Sequence, residues 1–109
     1  MSERIETTAI RNLIHNEEYC RKVLPFIKEE YFTDRLEKLL FTEIYKFVNK
    51  YNNLPTKESL SIEMNSNKGV SEDEYKKMNE IISSLNPEPI NLDWLVETTE
   101  VWCKDRAIH

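Results

Sequence analysis

Glycine is nearly absent from this sequence of 109 residues, in which Gly69 is the only one. Average usage would place about seven or eight glycines in a chain of this length. Phosphate-binding GxxxxGK[ST] loops, dinucleotide-binding GxGxxG loops and the GxSxG nucleophile elbow each require at least two glycines. The sequence therefore excludes these three kinds of site within the 109 residues.

A concentrated positive charge is also missing. The chain has 15 Lys and Arg against 20 Asp and Glu, for a formal net charge of −5. Its basic pairs, residues 21–22 and 76–77, both have acidic neighbours. Phosphate contacts supply most of the affinity of proteins for nucleic acids. Autonomous binding of DNA or RNA is therefore not expected.

Long apolar runs do not occur either. No segment is apolar over the roughly 20 residues that a membrane helix needs, and residues 1–5 (MSERI) do not resemble the start of a signal peptide. Two cysteines in a chain without a secretory signal indicate reduced thiols. We therefore expect a cytoplasmic protein with no part in a membrane.

The few metal-ligating and nucleophilic residues have no functional spacing. His15, Cys20, Cys103 and His109 lack the compact spacing of structural zinc sites. A nucleophile pair of Cys20 with His15 is disfavoured because a helix break is predicted between them, at Asn16. The sequence thus predicts no metal site, no cofactor site and no catalytic residue in this chain.

Apolar residues are present at helical spacing through most of the chain. Both the scarcity of glycine, which hairpin turns favour, and this spacing predict an all-α fold. We expect a compact bundle of five to six helices that ends in a helical hairpin. The predicted helices lie at about residues 4–15, 16–24, 34–51, 56–65, 71–85 and 91–108, with a helical turn between 26 and 32.

The predicted helix at 34–51 has apolar residues over more than half of its circumference, which favours a central position. Several helix starts also have recognisable caps. Asp34 with Glu37 and Ser71 with Glu74 resemble capping boxes, and Thr56 is the predicted cap of the helix that follows it.

The last two helices are predicted to serve association rather than folding alone. Two helices cannot bury both apolar stripes against each other, and exposed Trp, Tyr and Met are enriched at interface centres. We therefore divide the domain into a globular body, residues 1–65, and an association hairpin, residues 71–109. The candidate interface residues are Tyr75, Met78, Ile82, Leu85, Trp94, Leu95, Val101 and Trp102.

The predicted last helix has no C-terminal stop signal, since neither glycine nor proline follows it. This pattern predicts that the chain continues in a longer parent protein.

A set of short segments in this order resembles the N-terminal domain of DnaB-type replicative DNA helicases. The segments are 10–15 (IRNLIH), 23–27 (VLPFI), 30–32 (EYF), 40–44 (LFTEI), 53–56 (NLPT), 94–100 (WLVETTE) and 106–107 (RA). Each one is only an apolar helix signature, and the ordered set covers nearly the whole chain. Bacterial members usually have a glycine-rich stretch before the fifth helix, where this chain has only Gly69, so the resemblance favours the branch of large tailed phages.

The resemblance implies a non-catalytic collar domain within a hexameric ring. A RecA-like domain elsewhere in the parent protein would hydrolyse ATP with Mg²⁺ and unwind DNA at the replication fork. The collar would associate with its copies and dock a primase or a helicase loader, as part of a primosome. DNA would be contacted only through the full ring, in the cytoplasm of an infected bacterial cell.

Two other functions remain open from the residues alone. One is a stand-alone phage adaptor or regulatory protein that binds a replication factor or a host factor. The other is a direct binder of single-stranded DNA that uses its tyrosines as stacking surfaces.

Overall fold

The computed structural model describes residues 4–108, which form six α-helices and one 3-10 turn. No strand forms within this range, so the predicted all-α bundle is confirmed. The elements are α1 (Ile5–His15), α2 (Glu17–Val23), the 3-10 turn (Glu29–Tyr31), α3 (Arg35–Tyr51), α4 (Lys57–Ser66), α5 (Glu72–Ser84) and α6 (Leu92–Ile108).

Side-chain caps start several of these helices, and those at Asp34, Thr56 and Ser71 are the caps that the sequence predicts. The side chains of Asn16, Asp34, Thr56 and Ser71 each accept a hydrogen bond from a backbone amide of the first helical turn. At Ser71 the Glu74 carboxylate also accepts from the Ser71 amide, which completes the predicted capping box.

The expected capping box at Asp34 is wrong in one respect. Asp34 caps α3, but Glu37 is buried and is bound by α1 instead of by the Asp34 amide. Thr7 Oγ1 donates to Glu37 Oε2 at 3.0 Å, and Arg4 Nη2 lies 2.8 Å from the same oxygen. A buried carboxylate needs such partners, and this requirement takes precedence over the local cap.

One continuous core lies between α1, α2, the 3-10 turn and the first half of α3, and it extends to α4, α5 and α6. Phe32 stacks on Phe41, with ring centroids 5.1 Å apart, and so links the segment after α2 to α3. The largest fully buried side chains include Tyr19, Phe32, Ile10, Leu13, Leu40, Ile44, Leu60, Met64, Met78, Leu85 and Leu95.

The predicted hairpin of the last two helices does not form. The main contacts of α5 are with α4, and those of α6 are with α2 and α1. The reason lies in residues 86–91, which have no helical structure and contain Pro87 and Pro89. Six residues in extended conformation span about 20 Å, far enough to place α6 on another side of the bundle.

Five of the eight predicted interface residues are therefore covered within the chain itself. Met78, Ile82, Leu85, Leu95 and Trp102 are buried in the core, so their assignment to an exposed surface is corrected. Their stripes pack on other helices of the same bundle. Tyr75 is half-buried, and Trp94 and Val101 are exposed.

The helix α3 is central only in its first half. Leu40, Phe41 and Ile44 are buried, whereas Tyr45 and Tyr51 in the second half are exposed. The broad apolar circumference therefore does not mean that the whole helix is enclosed. Part of the circumference of α3 is an outer face that exposes apolar groups to solvent.

Candidate protein-interaction surface

The inner face of α6 is held to α2 by a buried hydrogen-bond chain. Thr99 Oγ1 donates to the Leu95 carbonyl at 2.7 Å. The Tyr19 hydroxyl can then donate to Thr99 Oγ1, 2.8 Å away. Burial raises the pKa of the Tyr19 phenol, so it remains protonated and available as a donor. The chain fixes the rotation of α6 about its own axis.

Aromatic packing and an ion pair hold the second half of α6. Trp102 packs edge-on against Phe32 and Tyr31, with ring centroids 5.1 and 6.2 Å away. Arg106 Nη2 lies 3.3 Å from the buried carboxylate of Glu6 on α1. Because this side faces the bundle, the opposite side of α6 faces outward.

The outward side of α6 presents a row of large apolar side chains. Trp94, Val101 and Ile108 are spaced by seven residues, close to two helical turns, and therefore lie on one side. They are 53%, 59% and 79% exposed. The row is about 21 Å long at 1.5 Å per residue. We call these three side chains the outer stripe of α6.

Acidic side chains surround the outer stripe. Asp93, Glu97, Glu100 and Asp105 are all exposed on α6, with Lys104 as the one exposed cation among these helix residues. Arg106 is directed to Glu6 on α1. The exposed side of α6 is therefore apolar at its centre and negatively charged around it.

A second apolar surface lies between α3 and the segment that follows α2. Two adjoining pockets share Pro25 and Tyr45 and form one groove. We call it the α3 groove. Its apolar lining consists of Leu24, Pro25, Ile27, Phe41, Tyr45 and Val48.

The charged side chains that line this groove have both signs. Arg21, Lys28 and Lys46 are basic, whereas Glu29 and Glu30 are acidic. The two carboxylates of α3 are covered, since Glu37 is buried and the Glu43 side chain is only 10% exposed beside Lys46. The α3 groove therefore combines an apolar lining with charged side chains of both signs.

The α3 groove was not predicted from the sequence, where the helix at 34–51 was expected to have a central position. The signal was nevertheless present. The helix at 34–51 has apolar residues on more of its circumference than one neighbouring face can cover. An excess of this kind indicates a second apolar face as well as a central position.

The groups considered for chemistry are engaged elsewhere. His15 Nε2–H donates to the Leu85 carbonyl, which ties α1 to the end of α5. Burial raises the pKa of the Cys20 and Cys103 thiols to about 11. Because the thiolate is the nucleophilic form, these thiols are poorly reactive near neutral pH.

No group of three His, Cys, Asp or Glu side chains within residues 4–108 is arranged to hold a metal ion. His109, one of the four residues weighed as ligands, lies outside the described range. None of the helices from Ile5 to Ile108 combines the length and apolarity needed to cross a membrane.

The fold and its surfaces define a small all-α domain with two exposed apolar surfaces and no metal-ligand cluster among residues 4–108. No protein-family model matches the sequence. The chain is similar to a DnaB-like replicative helicase of Enterobacteria phage T4, with 32% identity over 99 residues. The resemblance seen in the sequence is thereby confirmed. The matched region is 91% of this chain and only 21% of that relative, so the chain spans about a fifth of the relative's length.

Proposed function

We propose that this chain is the collar domain of a ring-forming, ATP-dependent replicative DNA helicase. The observation that carries the proposal is the 32% identity to a phage replicative helicase over 91% of this chain. Most of that relative lies outside the matched region. The proposal therefore assigns ATP hydrolysis, with Mg²⁺, and DNA unwinding to another domain of the parent protein.

Within this proposal, the chain acts by contact with other proteins in the host cytoplasm. It associates with its own copies in a hexameric ring and docks a primase or a helicase loader. The outer stripe of α6 and the α3 groove support this role, because clustered exposed apolar side chains mark interaction sites. It meets DNA only as part of the ring.

The docking role is tested with purified primase from the same replication system. The primase is titrated against the chain and against the variant Trp94→Ser/Val101→Ser, with binding followed by calorimetry. We expect saturable binding to the wild type and at least tenfold weaker binding to the variant, since interface aromatics contribute strongly.

The matched control is Ile62→Ser, because Ile62 is an apolar side chain of α4 that is 66% exposed and lies outside both surfaces. Ile62→Ser should bind like the wild type. Equal binding by all three proteins would remove α6 from the docking site. Absence of binding by both primase and loader would contradict the docking role itself.

The parent architecture is tested by the reading frame after residue 109. The proposal expects a P-loop, GxxxxGK[ST], within the next few hundred codons. A stop codon with no such motif would favour the stand-alone adaptor instead.

A further inference from the structure

Carboxylates border the outer stripe of α6 on both of its sides. Because an α-helix turns by about 100° per residue, Glu97 and Asp105 lie on opposite sides of the stripe, each about 40° from its middle. Asp93 and Glu100 lie beyond Glu97 on the same side, with Lys104 among them, and all five side chains are exposed. The outward face of α6 is therefore an apolar row between acidic borders.

The cations of the neighbouring helices are engaged with other carboxylates. The helix α6 packs on α1 and α2. In α2, Arg21 and Lys22 lie 3.4 and 3.6 Å from carboxylates of the same helix. In α1, Arg11 lies 3.8 Å from Glu88, which precedes α6. Within residues 4–108, none of the four carboxylates beside the stripe forms an ion pair, so the borders keep their negative charge.

This charge pattern restricts what can cover the stripe. Nucleic acids and anionic membrane surfaces are negatively charged and would be repelled by the borders. A second copy placed stripe against stripe would bring carboxylates against carboxylates, which opposes association. The α3 groove of a second copy has charges of both signs and does not match the acidic borders selectively. The complementary surface is a protein segment with an apolar row between cations.

A helix presents such a segment in the matching form. The outer stripe is about 21 Å long, which is the length of a helix of about 15 residues. Apolar side chains at heptad spacing pack against a similar row on a second helix, and the charges beside the row select the partner. Lys and Arg beside the row of the second helix would face the acidic borders of the stripe.

We propose that the outer stripe of α6 binds a basic amphipathic helix of the protein that docks on this domain. Apolar side chains of that helix cover Trp94, Val101 and Ile108, and its Lys and Arg side chains face Glu97 and Asp105. The inference rests on the proposed function, since it names the chemistry by which the docking partner is recognised.

The test compares two charge-reversal variants as ligands of purified primase and, separately, of the helicase loader from the same replication system. The border variant is Glu97→Lys/Asp105→Lys. The matched control is Glu63→Lys/Glu80→Lys, which replaces exposed carboxylates of α4 and α5. The net charge changes equally in both variants, so a long-range effect of net charge would appear in both. Circular dichroism and thermal unfolding verify that both fold.

We expect calorimetry at about 50 mM salt to show that the border variant binds at least tenfold more weakly than the wild type, because its new lysines face the cations of the partner. The control should bind like the wild type. At about 500 mM salt the difference between the variants should shrink, because ions screen exposed charges.

Two results would overturn the inference while leaving the docking role intact. One is a border variant that binds as tightly as the wild type, which shows that the partner does not present cations to the stripe. The other is equal weakening in the border variant and the control, which indicates net charge rather than a contact at α6. Absence of binding by both primase and loader would contradict the docking role and the inference together.

The chemistry of the bound segment is tested with overlapping peptides from the partner, each about 20 residues long and so able to span the stripe as a helix. The wild-type chain should retain peptides with an apolar helical row between Lys and Arg, and the border variant should not retain them. Retention of acidic or uncharged peptides instead would overturn the inference.

A second copy as the occupant of the stripe is tested by sedimentation equilibrium of the chain alone. Self-association that is lost in Trp94→Ser/Val101→Ser would place another copy on the stripe and would overturn the inference. We expect this variant and the wild type to sediment alike.

Discussion

Single residues at the contact of α2 and α6 show how buried polar groups fix this fold. The Tyr19 hydroxyl is fully buried, and its partner is Thr99 Oγ1 at 2.8 Å. A buried hydroxyl without a partner loses its hydrogen bonds to water and gains nothing in exchange. This one contact therefore affects stability and the orientation of α6 together.

Replacement of Thr99 by valine should leave the Tyr19 hydroxyl without its partner. We expect the free energy of unfolding to fall by about 1–3 kcal/mol, the usual penalty for one buried unsatisfied group. Urea unfolding followed by circular dichroism measures this change. The half-buried neighbour Thr98→Val is the control and should change stability by less than about 0.5 kcal/mol. Equal effects at both positions would show that the hydrogen bond is not the cause.

The two buried thiols predict how stability depends on pH. Burial raises the pKa of Cys20 and Cys103 from 9.0 to about 11, so folding favours the protonated thiol. Their contribution is fully present below pH 9 and is lost as the pH rises through 11. We expect thermal stability to decline over this window. The decline should be shallower in Cys20→Ala/Cys103→Ala, and an identical pH profile in that variant would contradict the assignment.

Among the helices, α6 has two faces with different roles. Leu95, Thr99 and Trp102 are buried against the bundle, while Trp94 and Val101 face outward. The spacing of apolar residues in such a helix does not show which face is buried and which face is exposed. Its inner face contributes to folding, and its outer face is left for contact with another chain.

The two tryptophans of α6 should therefore respond differently to substitution. Trp102→Ala removes a ring packed against Phe32 and Tyr31, and we expect a loss of about 3–5 kcal/mol in unfolding free energy. Trp94→Ala should change it by less than about 0.5 kcal/mol, since the side chain is exposed. Denaturant titrations of both variants measure the contrast. Comparable losses would contradict the two-faced description of α6.

Most elements were predictable because their signals are local. The starts of α3 and α5 follow from caps at Asp34 and Ser71, which act within one helical turn. The helical turn after α2 follows in the same way from Pro25 and the apolar residues behind it.

The packing partners of the helices were not predictable in this way. The apolar stripe of α5 shows that one side of this helix packs on a neighbour; its residues are Tyr75, Met78, Ile82 and Leu85. The stripe does not show whether that neighbour is α4 or α6. The same applies to Trp102, whose partners Tyr31 and Phe32 lie about 70 residues earlier. Long-range pairing depends on the path of the 86–91 connection, which helical periodicity does not encode.

Of the two apolar surfaces, the outer stripe of α6 could be predicted in part from the sequence, and the α3 groove could not. Trp94 and Val101 were named as interface residues together with Leu95 and Trp102, which are buried, because helical periodicity does not distinguish the two faces of α6. The α3 groove was missed, because it exists only where α3 meets the segment after α2. Its lining residues have ordinary core character when each is considered alone.

At the scale of the whole molecule, the helices enclose one buried core and leave two apolar surfaces exposed. The chain has a radius of gyration of 13.3 Å, close to the roughly 13 Å expected of a folded domain of 100 residues. Association is therefore not needed to complete the fold. Its apolar surfaces are available for contact with other chains, as the proposed collar requires.

Binding of purified primase or helicase loader to the wild-type chain, compared with Trp94→Ser/Val101→Ser by calorimetry, tests the central claim most directly. We predict saturable binding to the wild type, at least tenfold weaker binding to the variant, and unchanged thermal unfolding. A wild type that binds neither protein, or a variant that binds as tightly as the wild type, would contradict the claim that this helix face docks another protein.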